Sequence, residues 1–238
     1  MHRLFALLTA LALVPLTGAA SRAEEKPVVV ELFTSQGCSS CPPADALADT
    51  LSREPGLLIL TLHVDYWDYL GWRDRFARPE NTRRQKAYTA MFHARSVYTP
   101  QAIVQGSERL VGSDAPALVA AIQAQRALPS IAHIELVRRS DSIDVKLSSA
   151  APIIFRSKGI LHLVTYDEPQ TVRIERGENA GKTVVYTNVV RDWMKLGVWD
   201  GRAPMTISAP MPSMGKGLAV ILQDGKVGPI LASAWIEP

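Results

Sequence analysis

Two cysteines are all that the 238 residues contain, aromatic side chains make up only 7%, and neither sign of charge dominates, with 26 Lys and Arg against 23 Asp and Glu. So few cysteines exclude a fold held by several disulfides. The near balance of charge excludes the basic footprint of a nucleic-acid binder. Past the N-terminal segment no apolar run reaches the ~20 residues that a spanning helix needs, so no membrane span is expected. A hydrophobic content of 47% excludes a disordered chain.

What is present begins with Met1-His2-Arg3, an apolar run from Leu4 to Leu16, and an exit of small residues ending in Ser21-Arg22-Ala23. A short basic start, a short hydrophobic stretch and an A-x-A-like exit have the form of a secretory signal peptide cut after Ala23. The expected location is periplasmic or secreted. Removing 23 residues from 238 leaves 215, a length that suits two domains.

Val28 to Phe33 reads as a buried strand and Thr34 to Gly37 as a polar turn. Cys38-Ser39-Ser40-Cys41-Pro42-Pro43 then opens a helix in which Leu47, Ala48 and Leu51 recur at helical spacing. Proline is tolerated there because first-turn N–H groups have no helical partner. A second strand is predicted over 57–64, a helix over 81–94, a hairpin over 102–111, and a helix opened by Asp114-Ala115-Pro116 and ended by Pro129. After Pro129 the texture changes to strand-like runs at 131–136, 143–147, 160–166, 171–175, 183–190, 205–208, 218–222 and 230–236. Short strands without helical patterns predict an all-β, sandwich-like module. The expected division is a signal peptide over 1–23, a first domain over 24–129 and a β-rich domain over 130–238.

The chemistry rests on Cys38 and Cys41. A C-x-x-C pair at a helix N-terminus is a reversible two-electron switch, because the helix end favours the thiolate and the spacing lets one sulfur displace a partner from the other. Cys38 is assigned as the attacking thiol and Cys41, one turn inward, as the resolving one. The expected activity is that of an exported thiol–disulfide oxidoreductase, acting on protein or small-molecule thiols and disulfides, with no cofactor implied. A rival reading is metal binding or metallochaperone function, for which His63 is the natural third ligand beside Cys38 and Cys41, since a soft ion wants three or four. An inert disulfide and a structural histidine are the bland alternatives. The aromatic segment Asp65 to Trp72 reads equally as a peptide groove or as a plug of the core. Gly177-Glu178-Asn179-Ala180-Gly181-Lys182-Thr183 is no phosphate loop, because three residues rather than four separate its glycines and a strand follows it; a hairpin turn fits better.

The order strand, C-x-x-C, helix, strand, helix, and then Tyr98-Thr99-Pro100-Gln101 before a strand resembles the thioredoxin fold. The resemblance implies an α/β thioredoxin-like N-terminal domain, with the all-β, sandwich-like domain after it. It also implies a cis Pro100 next to the cysteines and a Thr99 backbone that pairs with a bound partner. Glu31, on the strand before the cysteines, matches the buried acid that moves protons to the inner thiol in thioredoxins. The departures are a longer turn and the lack of a tryptophan before the motif. Four phrases resemble more closely a secreted thioredoxin-like family, domain of unknown function 1223. They are Glu31 through Asp45, His63-Val64-Asp65-Tyr66-Trp67-Asp68, Tyr98 through Gln101, and Arg176 through Lys182. This resemblance implies an exported protein and brings no substrate.

Overall fold

The computed structural model describes residues 26–212 and 215–238. The expected leader, with its cut after Ala23, lies outside the described residues. The chain enters as β1 (Val28–Thr34), turns into α1 (Pro42–Leu51), and returns as β2 (Leu57–His63). It continues through α2 (Pro79–Met91), β3 (Gln101–Val104), β4 (Glu108–Val111) and α3 (Ala115–Arg126). Thereafter the described elements are strands: β5 (His133–Arg138), β6 (Ser142–Ser148), β7 (Gly159–Tyr166), β8 (Gln170–Arg173) and β9 (Thr183–Tyr186). β10 (Val190–Trp199), β11 (Met205–Pro210), β12 (Gly217–Asp224) and β13 (Ile230–Ile236) complete the series.

Alternation along the strands builds the layers. In β1, Val28, Val30 and Leu32 meet Ala44 and Ala48 of α1 and Leu118 and Ala121 of α3. The intervening Val29 and Phe33, with Leu58 and Leu60 of β2, face the other way and pack on Val164, Tyr166 and Ile221. The first sheet, in the order β2-β1-β3-β4, therefore carries α1 and α3 on one face and, on the other, α2 together with a second sheet, β10-β7-β12-β13. The second sheet's far face presents Leu163, Val220 and Leu222 to Ile143 and Val145 of a third sheet, β11-β6-β5. β12 is thus covered on both sides, which is why Leu218 to Leu222 is an unbroken apolar run rather than an alternating one. A two-stranded ribbon of β8 and β9 lies against α1.

This architecture overturns the expected fold class of an α/β thioredoxin-like N-terminal domain followed by a separate all-β domain. The described chain is mostly β, with thirteen strands in four sheets against three helices. The physical reason lies in α2. Its sequence, PENTRRQKAYTAM, offers few large apolar residues, so it has no wide apolar stripe with which to cover a sheet face. Leu58, Leu60 and Leu62 share their cluster with Tyr88 and Met91 of α2 and with Val164, Tyr166, Val190, Ala219 and Ile221 of the second sheet.

Candidate functional site

The turn leaving β1 delivers Cys38 and Cys41 to the N-terminus of α1, where they are joined in a disulfide. Cys41 is the residue just before the helix, and Pro42 and Pro43 occupy its first turn. Prolines have no N–H, and the next two N–H groups, of Ala44 and Asp45, both bond to the Cys41 carbonyl. The helix end therefore acts on the sulfurs through its dipole rather than through free donors. Both sulfurs are recessed, with Cys38 3% and Cys41 0% exposed, whereas Ser39 and Ser40 stand in solvent.

Three segments close around the disulfide. The first is the loop before β3, where the Thr99–Pro100 peptide bond is cis. Ser40 Oγ lies 3.4 Å from Cys38 Sγ and 3.3 Å from the Thr99 carbonyl oxygen. The second is the aromatic loop: Trp67 Nε1 donates to Thr99 Oγ1 at 2.7 Å, and Trp72 Nε1 donates to Gln36 Oε1 at 2.8 Å. Its backbone comes so near that a Cβ on Gly37 would lie 3.1 Å from the Trp67 carbonyl oxygen. The third is the turn between β8 and β9, where buried Asn179 donates to the carbonyls of Gln36 at 3.0 Å and Cys38 at 2.7 Å. That turn is a hairpin connection rather than a phosphate loop.

Beneath the disulfide, on the α1 side of the first sheet, sits a buried polar cluster. Asp45 lies four residues after Cys41 and accepts a 2.7 Å hydrogen bond from Thr34 Oγ1. Thr34 pairs in register with His63 of β2, so their side chains share that face. His63 Nδ1 is 2.6 Å from Asp74 Oδ2, and its ring stands edge-on to Phe76 and Tyr186. Burial pushes the Asp45 carboxyl up to about 7, against the Thr34 bond and the neighbouring His63. Burial also works to raise Asp74, but His63 and the N–H groups of Gln36 and Phe76 outweigh it and hold that carboxyl below the usual carboxylate range.

Glu31 lies elsewhere. Strand alternation turns it away from α1, toward the second sheet, where Arg84 Nη2 donates to it at 2.8 Å and Tyr88 Oη at 2.6 Å. Gln223 of β12 donates to Tyr88 Oη, and the Arg84 guanidinium lies 3.6 Å from the centre of the Trp193 ring. The expected proton shuttle through Glu31 is therefore corrected: a sheet separates it from the cysteines, and its lone pairs are committed to Arg84 and Tyr88. The buried acids on the cysteine side are Asp45 and Asp74, of which Asp45 lies one helical turn after Cys41. Its signal in the sequence is position, since Cys41, Asp45 and Ala48 follow helical spacing along one stripe and Asp45 is the polar member. Asn179 carries no spacing signal, because 138 positions part it from Cys41, and is marked only as part of the phrase Arg176 through Lys182 that resembles the family.

The structure brings Cys38, Cys41, Thr99 and Pro100 together. His63, the third ligand of the metal reading, lies in the buried cluster with Nδ1 on Asp74 Oδ2 and Nε2 without a hydrogen-bond partner, while the two sulfurs are bonded to each other. Among the described residues no three His, Cys, Asp or Glu side chains gather in a way that could hold a metal ion. Within the aromatic segment Tyr66 and Trp67 pack against the core and Tyr69 is largely exposed.

A family profile described as "Protein of unknown function (DUF1223)" matches residues 29–223. A crystal structure of protein AGR_C_4864 from Agrobacterium tumefaciens is 32% identical, over 90% of this chain and 96% of that one, with a TM-score of 0.77. HBP35 of Porphyromonas gingivalis is 13% identical over 89% of this chain and 75% of that one, with a TM-score of 0.60, a likeness of fold alone. No curated protein matches the chain.

Proposed function

We propose, from the premise that this chain belongs to the DUF1223 family, that it exchanges thiols and disulfides through Cys38 and Cys41 in an exported, oxidising compartment. One observation carries the reading: a disulfide closed between positions i and i+3 sits at a helix N-terminus, under exposed Ser39 and Ser40 and beside the Thr99 carbonyl. A bridge closing so short a loop removes little entropy from the unfolded chain, so stabilisation is a poor reason for it. Disulfides of this kind persist in oxidising compartments, in keeping with the expected leader.

In the reductive half-reaction an incoming thiolate forms a bond to Cys38 Sγ along the Ser39–Ser40 edge. The Cys38–Cys41 bond breaks and its electron pair leaves on Cys41, which takes the proton held by Asp45. In the reverse direction the Asp45 carboxylate accepts the Cys41 proton and Cys41 attacks the mixed disulfide. A carboxyl that titrates near neutrality is suited to both steps.

The test is redox equilibration of the purified protein in glutathione buffers. A reversible couple in the range of roughly −120 to −270 mV is expected. Cys41→Ser should accumulate a mixed disulfide on Cys38, and Cys38→Ser should abolish exchange. A disulfide that resists dithiols until the protein unfolds would show the bridge to be inert.

A further inference from the structure

Ser40 has one hydroxyl proton and two acceptors in reach, Cys38 Sγ at 3.4 Å and the Thr99 carbonyl at 3.3 Å. A sulfur in a disulfide has no proton to give and is a weak acceptor. While the bridge is closed, the Ser40 proton therefore belongs to Thr99. A Cys38 thiolate is a charged acceptor, and hydrogen bonds to charge are roughly twice as strong as neutral ones. On reduction the proton moves to sulfur and the Thr99 carbonyl is released. Thr99 is held for this by Trp67, which fixes its side chain, and its carbonyl accepts the hydrogen bond from Ser40.

We infer that Ser40 is a redox-dependent gate on backbone recognition: the dithiol form offers the Thr99 carbonyl to an N–H of an extended peptide disulfide, and the disulfide form withdraws it. The inference rests on exchange at Cys38 as proposed above. The Cys38 thiolate bonds to one substrate sulfur, the substrate disulfide breaks, and its second sulfur leaves as a thiolate that takes a proton from solvent. Cys41 gives its proton to the Asp45 carboxylate and attacks Cys38 Sγ, and the first substrate sulfur departs as a thiolate. Two electrons pass from the cysteine pair to the substrate. Once Cys38 Sγ is in a disulfide again, first with the substrate and then with Cys41, it no longer draws the Ser40 proton, and Ser40 returns to the Thr99 carbonyl and displaces the bound backbone.

The gate makes two measurable demands on the full-length protein. Ser40 is exposed, so Ser40→Ala should fold normally. In the reduced protein, ultraviolet absorbance of the thiolate should give a Cys38 midpoint about half to one pH unit higher in Ser40→Ala. Ser40→Thr, which keeps a hydroxyl, and Ser39→Ala, which removes the neighbouring one, should stay at the wild-type midpoint. In the oxidised protein, reduction by a cysteine-containing pentapeptide is compared with reduction by mercaptoethanol, which has no backbone. The ratio of the two rates should rise about three- to tenfold in Ser40→Ala, where the Thr99 carbonyl is always open. An unmoved midpoint overturns the contact with the thiolate, and an unmoved ratio overturns the gate. If the wild-type disulfide reacts with neither thiol, exchange itself fails, while the midpoint still judges Ser40.

Discussion

A carboxyl sealed one helical turn below a disulfide leaves a mark on stability as well as on chemistry. In the unfolded chain Asp45 releases its proton near pH ~3.9. In the folded protein burial holds the proton up to about 7. Between those limits the native state binds more protons than the unfolded one, so stability falls as pH rises, and the loss is complete above pH 7. Asp45→Asn should therefore raise stability at pH 8 by on the order of a few kcal/mol and leave it nearly unchanged at pH 4, which denaturant melts at the two values check. The same variant should reduce its disulfide at least about tenfold more slowly at pH 6, because Cys41 then leaves without a proton donor. An unchanged rate would remove Asp45 from the mechanism. The two acids also show what a strand hides. Glu31 and Asp45 are both buried near the cysteine motif in sequence. Which of them faces the sulfurs depends on the parity of β1 and on the turn between Thr34 and Cys38. One residue more or less in that turn changes the answer, and composition does not record it.

Elements behave more predictably where a local pattern decides them, and less so where a distant partner does. The apolar run of β12 and the spacing of Leu118, Ala121 and Ile122 in α3 are visible in the sequence because burial imposes them residue by residue. β10 was not, since its ten residues include Arg191, Asp192 and Lys195 and its pairing with β7 slips at two bulges, so no simple alternation survives. α2 is the instructive case. It serves in part as a polar strut, with Arg84 reaching Glu31 of β1 and Gln223 of β12. The Arg84–Glu31 pair joins α2 to the first sheet, with Arg84 at 9% and Glu31 at 0% side-chain exposure. Arg84→Leu leaves a buried carboxylate without its counter-charge and should cost about 3–5 kcal/mol in denaturant unfolding. Adding Glu31→Leu should restore much of that loss, since an apolar pair can replace a buried ion pair. Reactivity of Cys38 in the folded double variant should match wild type, as measured by disulfide reduction under native conditions. A changed rate would return Glu31 to the site.

At the scale of the whole molecule, the cysteine motif is supported from behind by strands that lie more than a hundred residues further on. Val29, Phe33, Leu58, Leu60 and Leu62 share one core cluster with Val164, Tyr166, Ala219, Ile221 and Ile230. The second sheet at the same time closes the third through Val220 and Leu222. Because that middle sheet is buried on both faces, neither outer layer can lose it without exposing its own apolar face. Cooperative unfolding follows, and calorimetry of the full chain should show one transition with calorimetric and van't Hoff enthalpies in agreement. Ile221→Ala, which opens a cavity between the first and second sheets, should cost about 2–5 kcal/mol and lower that single transition without splitting it. Amide exchange in β1 and in β12 should then accelerate by the same factor, because one global opening exposes both. Two transitions, or faster exchange in β12 alone, would mean that the layer carrying Cys38 and Cys41 stands by its own core and that the β-sheets behind it are an attachment rather than its support.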